Sequence, residues 1–529
     1  IDPLQAASAL GPLAADGKID LKAAFPEGLL SPEPDLSRLS YRLNLRHQGL
    51  LLENAFPRDA GYRGRLDAKI RLEGTGVAPG DMAARCRVDI NGQGIAAPGM
   101  QRPADVAAEV EAGIDGEEAL LDRLSVDVVG LRLTGDGRYR FTNGELEGNA
   151  ALASPDLSAL LAAAGIADGR GAMTVNAAVG GSLSQPTGTL SASGEGLALP
   201  NVVLGDLHLA AELDDAGVVD IETLRLVNQD SRISLRGGID LLAHRPGKPP
   251  TLREELPVEV ALSLESVAPA DFLPGAAARG RIDGTVAVQG PARSPEIQAE
   301  AAGKGLAIGD AAIGDVALQA AFSGGRVEIG RLALRNKRSA LSVAGTATLL
   351  DGAMTPLEDP AFDLKILEGR LFPGDFLAGG EGELTLAGGL QGRLRNPAAD
   401  LRLDGRGLAF SGARIGNVDA RIQMTEGRIQ LSPLDIRNGR SALHATAAAD
   451  IMKPGSGALI QDPTLDVRIS GERLFLEDFI DGMAGDLSIE GRIGGTATRP
   501  QGTLRLRGQR LDIGGQPLDS ISVDAGMAG

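Results

Sequence analysis

The chain has 529 residues, 43% of them hydrophobic, which is enough apolar material to exclude wholesale disorder. Its formal net charge of −18, from 70 acidic and 52 basic residues, repels phosphate backbones and excludes nucleic-acid binding as a leading function. Aromatics make up 3% with no Trp, while 73 glycines announce many turns.

Residues 1–60 read as a degenerate partial repeat, and from there one pattern returns. A Pro-centred turn occurs weakly at Pro79 and clearly at Pro186, Pro295, Pro397 and Pro500, so the period is slightly above one hundred residues. Two further landmarks keep phase with it. One is a strand pattern ending in Asn228, Asn336 and Asn438; the other is an Asp-Phe pair closing on Phe272, Phe376 and Phe479. The repeats are assigned to residues 61–168, 169–278, 279–378 and 379–483, with a truncated copy at 484–529.

Between the landmarks the apolar period is two, as in strands with one buried face. The alternating positions are Val286 and Val288, then Val327, Ile329, Leu332 and Leu334. They continue as Leu384 and Leu386, Leu401 and Leu403, Ile422 and Met424, and Ile429 and Leu431. Leu465, Val467 and Ile469 follow, and Leu504 and Leu506 close the series. Because a one-residue slip would exchange the faces, the alternation also specifies register. The doublet within V-x-I-x-x-L-x-L shifts the alternation by one and predicts a β-bulge. Helical periodicity is short: Ala153 to Ala164, with Ser154-Pro155 as its start, and the Asp-Phe segments. Each repeat therefore reads as about seven strands and a helical turn or two. The loops His244 to Pro250 and Met452 to Pro463 read as excursions from a sheet edge.

No catalytic or metal-binding constellation is found. His47, His208, His244 and His444 lack metal-ligand spacing to a second His or Cys, and there is neither a P-loop nor a G-x-S-x-G elbow. Gly379-Gly380 and Gly388-Gly389 read as strand-end turns, and Asp214-Asp215 and Glu254-Glu255 as solvated loop residues. Cys86, the single cysteine, reads as a small hydrophobe on a strand. No run reaches the ~18 apolar residues of a membrane span, no signal peptide opens the chain, and it begins without Met. It is expected to be a segment of a longer protein, non-enzymatic, with no cofactor and no metal.

The cycle G-x-L-x-L-x-G, a Pro turn, an Asn and Ser strand landmark and an Asp-Phe segment resembles the TamB and AsmA-like proteins of the Gram-negative envelope. The resemblance is clearest from Gly379 to Ile436 and from Gly485 to Ile513, and covers roughly residues 60–529. It implies an all-β fold: an elongated, repetitive twisted sheet coiled into a taco-like groove with an apolar interior and short helices at the repeat junctions. It further implies intermembrane phospholipid transport across the periplasm in support of outer-membrane biogenesis. Phospholipid acyl chains would line the groove, an inner-membrane anchor would lie outside this chain, and an outer-membrane barrel or inner-membrane protein would be a partner. About 30 strands at ~4.8 Å spacing would extend about 150 Å in one sheet. The alternative from patterning is a structural periplasmic spacer or surface adhesin with a self-filled β core; the resemblance implies as a further alternative an outer-membrane protein assembly factor of TamB type.

Overall fold

The computed structural model describes residues 4–528 except 9–10, 29–33, 58–59, 78–79, 99–101, 246–247 and 310, so the Pro79 landmark lies outside the described residues. The chain divides into two units, Ile1–Ala276 and Ala277–Gly529. Both are all-β, and in each the strands follow one another as an antiparallel meander.

The second unit shows the repeat most plainly. Its first six strands are Ala278–Pro291, Glu296–Ile308, Ala311–Ser323, Arg326–Asn336, Ser339–Leu350 and Pro356–Leu371, closed by a single helical turn at Pro373–Asp375. The next six are Gly380–Arg393, Asn396–Phe410, Ala413–Thr425, Arg428–Asn438, Ser441–Met452 and Leu459–Phe475, closed by the short helix Leu476–Phe479. Three more, Met483–Gly495, Pro500–Ile513 and Gln516–Met527, repeat the opening of the cycle. A repeat is thus six strands and one helical turn, not seven strands. The V-x-I-x-x-L-x-L segment is one bulged strand: Ile329 faces Gly345 and Leu332 faces Val343, so two residues, Gly330 and Arg331, oppose Ala344 alone. The same shift lies between Ile221 and Leu224 and between Leu431 and Leu434. The extra residue lets both apolar doublets stay on one face.

In the first unit the meander runs from Leu4–Ser8 to Pro257–Val267, with a two-stranded hairpin, Leu242–Arg245 and Lys248–Leu252, paired outside the main sheet. The described residues of the proline-rich excursion from His244 to Pro250 belong to that hairpin. The helix expected over Ala153 to Ala164 is shorter than its pattern. Strand pairing holds Ser154 against Met173, and helix forms only over Ser158–Ala163. Ladder hydrogen bonds to the neighbouring strand win over local propensity there.

The Asn and Asp-Phe landmarks are two halves of one clip. Ser339 and Ser441, each three residues after the landmark Asn, donate from Oγ to Oδ2 of Asp375 and Asp478 at 2.7 Å in both cases. The amides of Arg338 and Ser339, at 3.1 and 2.9 Å, and of Arg440 and Ser441, at 3.0 and 3.1 Å, donate to the same oxygens. Each serine hydroxyl in turn accepts from the amide of Phe372 or Phe475, at 2.9 and 2.8 Å. In the first unit Ser231 Oγ donates to Asp271 Oδ2 at 2.5 Å and accepts from the Ala268 amide at 2.9 Å. The three serines are buried and their hydrogen bonds satisfied, so the landmarks recur because they fasten a hairpin turn to a short helix. Arg338 and Arg440 lie over the rings of Phe372 and Phe475, 4.5 and 3.7 Å from their centroids, which adds a cation–π contact to the clip in both repeats.

Candidate functional site, an apolar sheet face

Cross-strand partners share a face, so register follows a row of side chains from strand to strand. In the second unit one row takes a residue from each strand. It begins Gly284, Ala301, Leu318, Leu332 and Val343. It continues Ile366, Gly388, Leu401, Ile422 and Leu431, and ends Ala447, Val467, Ile493, Gly502 and Met527. No polar side chain interrupts it. A parallel row runs Val286, Ala299, Ala320, Ile329, Gly345 and Leu364, then Leu390, Ala399, Met424, Ile429, Ala449 and Leu465.

The remaining residues picked from the alternation fall on the same face. Val288 and Val327 flank Ile297 and Phe322, and Leu334 lies between Val316 and Leu341. Leu386, Leu403, Ala420 and Leu434 form a run, as do Ile469, Gly491 and Leu504. Leu384 faces Gly405, and Leu506 faces Ile489. All nineteen named positions are thus brought to one face.

The other face carries the charged and polar side chains, with alanines such as Ala302, Ala317 and Ala333 among them. Thr385, Asp404, Asp419, Asp435, His444, Ser470, Glu490, Arg505 and Asp524 are consecutive cross-strand partners. Ion pairs such as Arg421 to Asp400 at 2.6 Å and Arg402 to Asp419 at 3.0 Å span its strands. The Arg421 guanidinium holds the Asp400 carboxyl below the usual aspartate range, chiefly through its hydrogen bond. Such solvated pairs contribute little to stability but mark which face meets water. Asp435, His444 and Ser470 stand side by side, and Asp435 is hydrogen-bonded to His444 Nδ1. The imidazole is 57% exposed, so the pair is solvated. Among the described residues no group of three or more His, Cys, Asp or Glu could hold a metal.

The apolar face is not covered by a second layer of the chain. Eighteen of the nineteen positions are half-buried and Leu332 is 38% exposed; none is fully buried. The buried hydrophobic residues are few, and several sit at strand ends and helices, such as Leu157, Leu197, Leu474, Phe475 and Leu511. A compact protein of 54.3 kDa exposes about 18,000 Å², whereas this chain exposes 31509 Å². The excess is what sheets with both faces accessible produce.

The first unit carries the same face, on which Val219 and Ile221 of the V-x-I-x-x-L-x-L pattern lie. One row begins Gly17, Leu43, Leu72, Cys86, Ala112, Leu121 and Gly137. It continues Gly148, Val179, Gly188, Leu213, Val219, Ile239 and Val258. Cys86 is therefore half-buried among apolar neighbours. The signal was present in "YRLNLRH", where Tyr41, Leu43 and Leu45 alternate with Arg42, Asn44 and Arg46. His47 takes the next position on that face.

Compared with models of protein families, with curated proteins and with solved structures, the chain gives no significant match. The functional reading therefore rests on the two faces. No helix among the described residues is long and apolar enough to cross a membrane.

Proposed function

We propose that the apolar face of each unit curves into a taco-like groove that binds acyl chains, and that the protein conducts phospholipid passively between membranes. The observation that carries this reading is the row from Gly284 to Met527: apolar at every step, with side chains half-buried or, at Leu332 and Met527, exposed. Such a surface is costly in water unless something apolar covers it. An acyl chain recovers about 0.8 kcal/mol for each CH₂ it removes from water there. The row offers neither a charge to repel the chain nor, Phe322 and Phe362 in a neighbouring row aside, large rings to obstruct sliding.

In this reading the protein works in the periplasm of a Gram-negative envelope, like the TamB and AsmA-like proteins it resembles, and supports outer-membrane biogenesis without catalysis. The lining residues are those named from Val286 to Leu506, joined by their counterparts in the first unit. A spacer or adhesin with a self-filled core fits less well, because a filled core would bury these side chains.

Organic extraction and native mass spectrometry of the purified chain provide the test. Co-purifying phospholipid in defined stoichiometry is expected. A chain that is stable, folded and free of lipid, and that takes none up from vesicles, would overturn the proposal.

A further inference from the structure

We propose that the apolar face is one-sided: lipids lie along the strands with their chain ends toward the clips and their headgroups at the opposite edge, where the Pro turns are. This rests on the lipid-carrying reading above.

The two edges of the face differ in burial. In the second unit its buried hydrophobic residues, Val418, Ala420, Leu474 and Leu511, all stand toward the clip edge. Further along the strand that carries Val418 and Ala420, Ile422 and Met424 are half-buried, and Leu390, near the Pro397 turn, is 37% exposed. The first unit shows the same gradient: Leu197 is buried, whereas Val179 and Leu190, near the Pro186 turn, are 39% and 38% exposed.

Two devices wall off the clip edge. One is a leucine folded back over a glycine. A Cβ on Gly405 would lie 2.6 Å from Leu408 Cδ1, and one on Gly508 2.7 Å from Leu511 Cδ1, so these leucines fill the space above the face that a side chain would take. Gly303 with Leu306, and Gly194 with Leu197 in the first unit, repeat the arrangement at 2.5 and 2.6 Å. The other device is the clip. Arg414 Nη2 donates to the Glu477 carbonyl at 2.6 Å, and Asn438 Nδ2 donates to the carbonyls of Arg414, at 3.0 Å, and of Asp478. These bonds hold the helix Leu476–Phe479 against the ends of the strands Ala413–Thr425 and Arg428–Asn438. Phe410 and Ile513, two residues past their leucines, are exposed at the turns beyond this wall.

An amphiphile on this face has to keep its headgroup in water, because an uncompensated polar or charged group on a hydrocarbon surface is costly. That requires an edge, and only the Pro-turn edge is open. From Met424 to Val418 the strand rises about 20 Å at ~3.4 Å per residue, which accommodates the hydrocarbon of one leaflet, about 15 Å. Chains seated from the open edge therefore reach the wall with their ends.

Two synthetic phosphatidylethanolamines test the orientation on the unsubstituted full chain, one with a diazirine near the terminal methyl of an acyl chain and one with it beside the ester carbonyl. After loading and illumination, adducts are located by tandem mass spectrometry. The terminal probe is expected to mark Leu403, Leu434 and Ile436 about tenfold more than Ala399, Met424 and Ile429, and the carbonyl probe the reverse, since an inverted lipid would carry its headgroup out of water. Equal marking of the two sets by each probe, or the inverted order, overturns the orientation and leaves the carrier reading standing. Absence of adducts from both sets with both probes overturns both.

Discussion

Placing one charge on the apolar face separates a transport surface from a mere structural one. Leu403 stands between Leu386 and Ala420 and is half-buried. Leu403→Asp forfeits only part of a leucine's burial, about 1 kcal/mol, because the side chain is partly in contact with solvent and nothing is packed above it. The same carboxylate under an acyl chain costs about 2.5–3.5 kcal/mol on an insertion scale, or about 100-fold in local lipid occupancy. Thr385→Asp is the control: it lies on the polar face between Arg370 and Asp404. Phospholipid transfer between donor and acceptor vesicles, with thermal melting in parallel, reads both effects. Transfer should fall by about two orders of magnitude for Leu403→Asp and stay within twofold for Thr385→Asp. If Leu403→Asp melts normally and transfers at the original rate, lipid does not travel along this face.

Three further outcomes concern the clip that fastens each repeat. Asp478→Ala strands the Ser441 hydroxyl and the amides of Arg440 and Ser441, and urea unfolding should report a loss of about 2–3 kcal/mol. At Asp375, desolvation opposes ionisation but is outweighed by hydrogen bonds from the Ser339 hydroxyl and the Arg338 and Ser339 amides and by the Arg338 charge, so its pKa is lowered. A lowered carboxyl pKa contributes stability that is complete above the ordinary aspartate value of about 3.9 and is lost as pH falls through the folded-state value. Asp375→Asn should therefore flatten that acid limb of the stability profile, measured by melting between neutral and acid pH. Lys337 opens the clip turn with φ at 51°, where the third copy has Gly439 at 55°. Lys337→Gly should raise stability by about 1 kcal/mol in the same urea assay, since glycine adopts that conformation without a Cβ penalty.

The apolar face was legible in the sequence because its information is local. Leu401 and Leu403 alternate with Arg402 and Asp404, and a strand can satisfy that pattern in only one orientation. The bulge was legible for the same reason: Ile329 and Leu332 are three apart in every copy of the pattern. The clip was visible only as recurrence. Ser339 and Asp375 are 36 residues apart, and nothing local says that a hydroxyl near one landmark meets a carboxylate at the other. The strand count per repeat came out one too high because the doublet at Ile329 and Leu332 is a bend within a strand. The first sixty residues lacked the Pro and Asn landmarks, so their phase was not readable, although "YRLNLRH" alternates as strictly as any later strand.

Photocrosslinking across the two faces tests the central claim most directly. A photoreactive amino acid is placed in turn at Leu401, Ile422 and Leu431, which are successive partners on the apolar face, and at Arg402, Arg421 and Gln430, which point the opposite way. Illumination of the protein carrying phospholipid should attach lipid at the first three positions and leave the second three bare. Equal labelling of both faces, or none on the apolar one, would contradict the account.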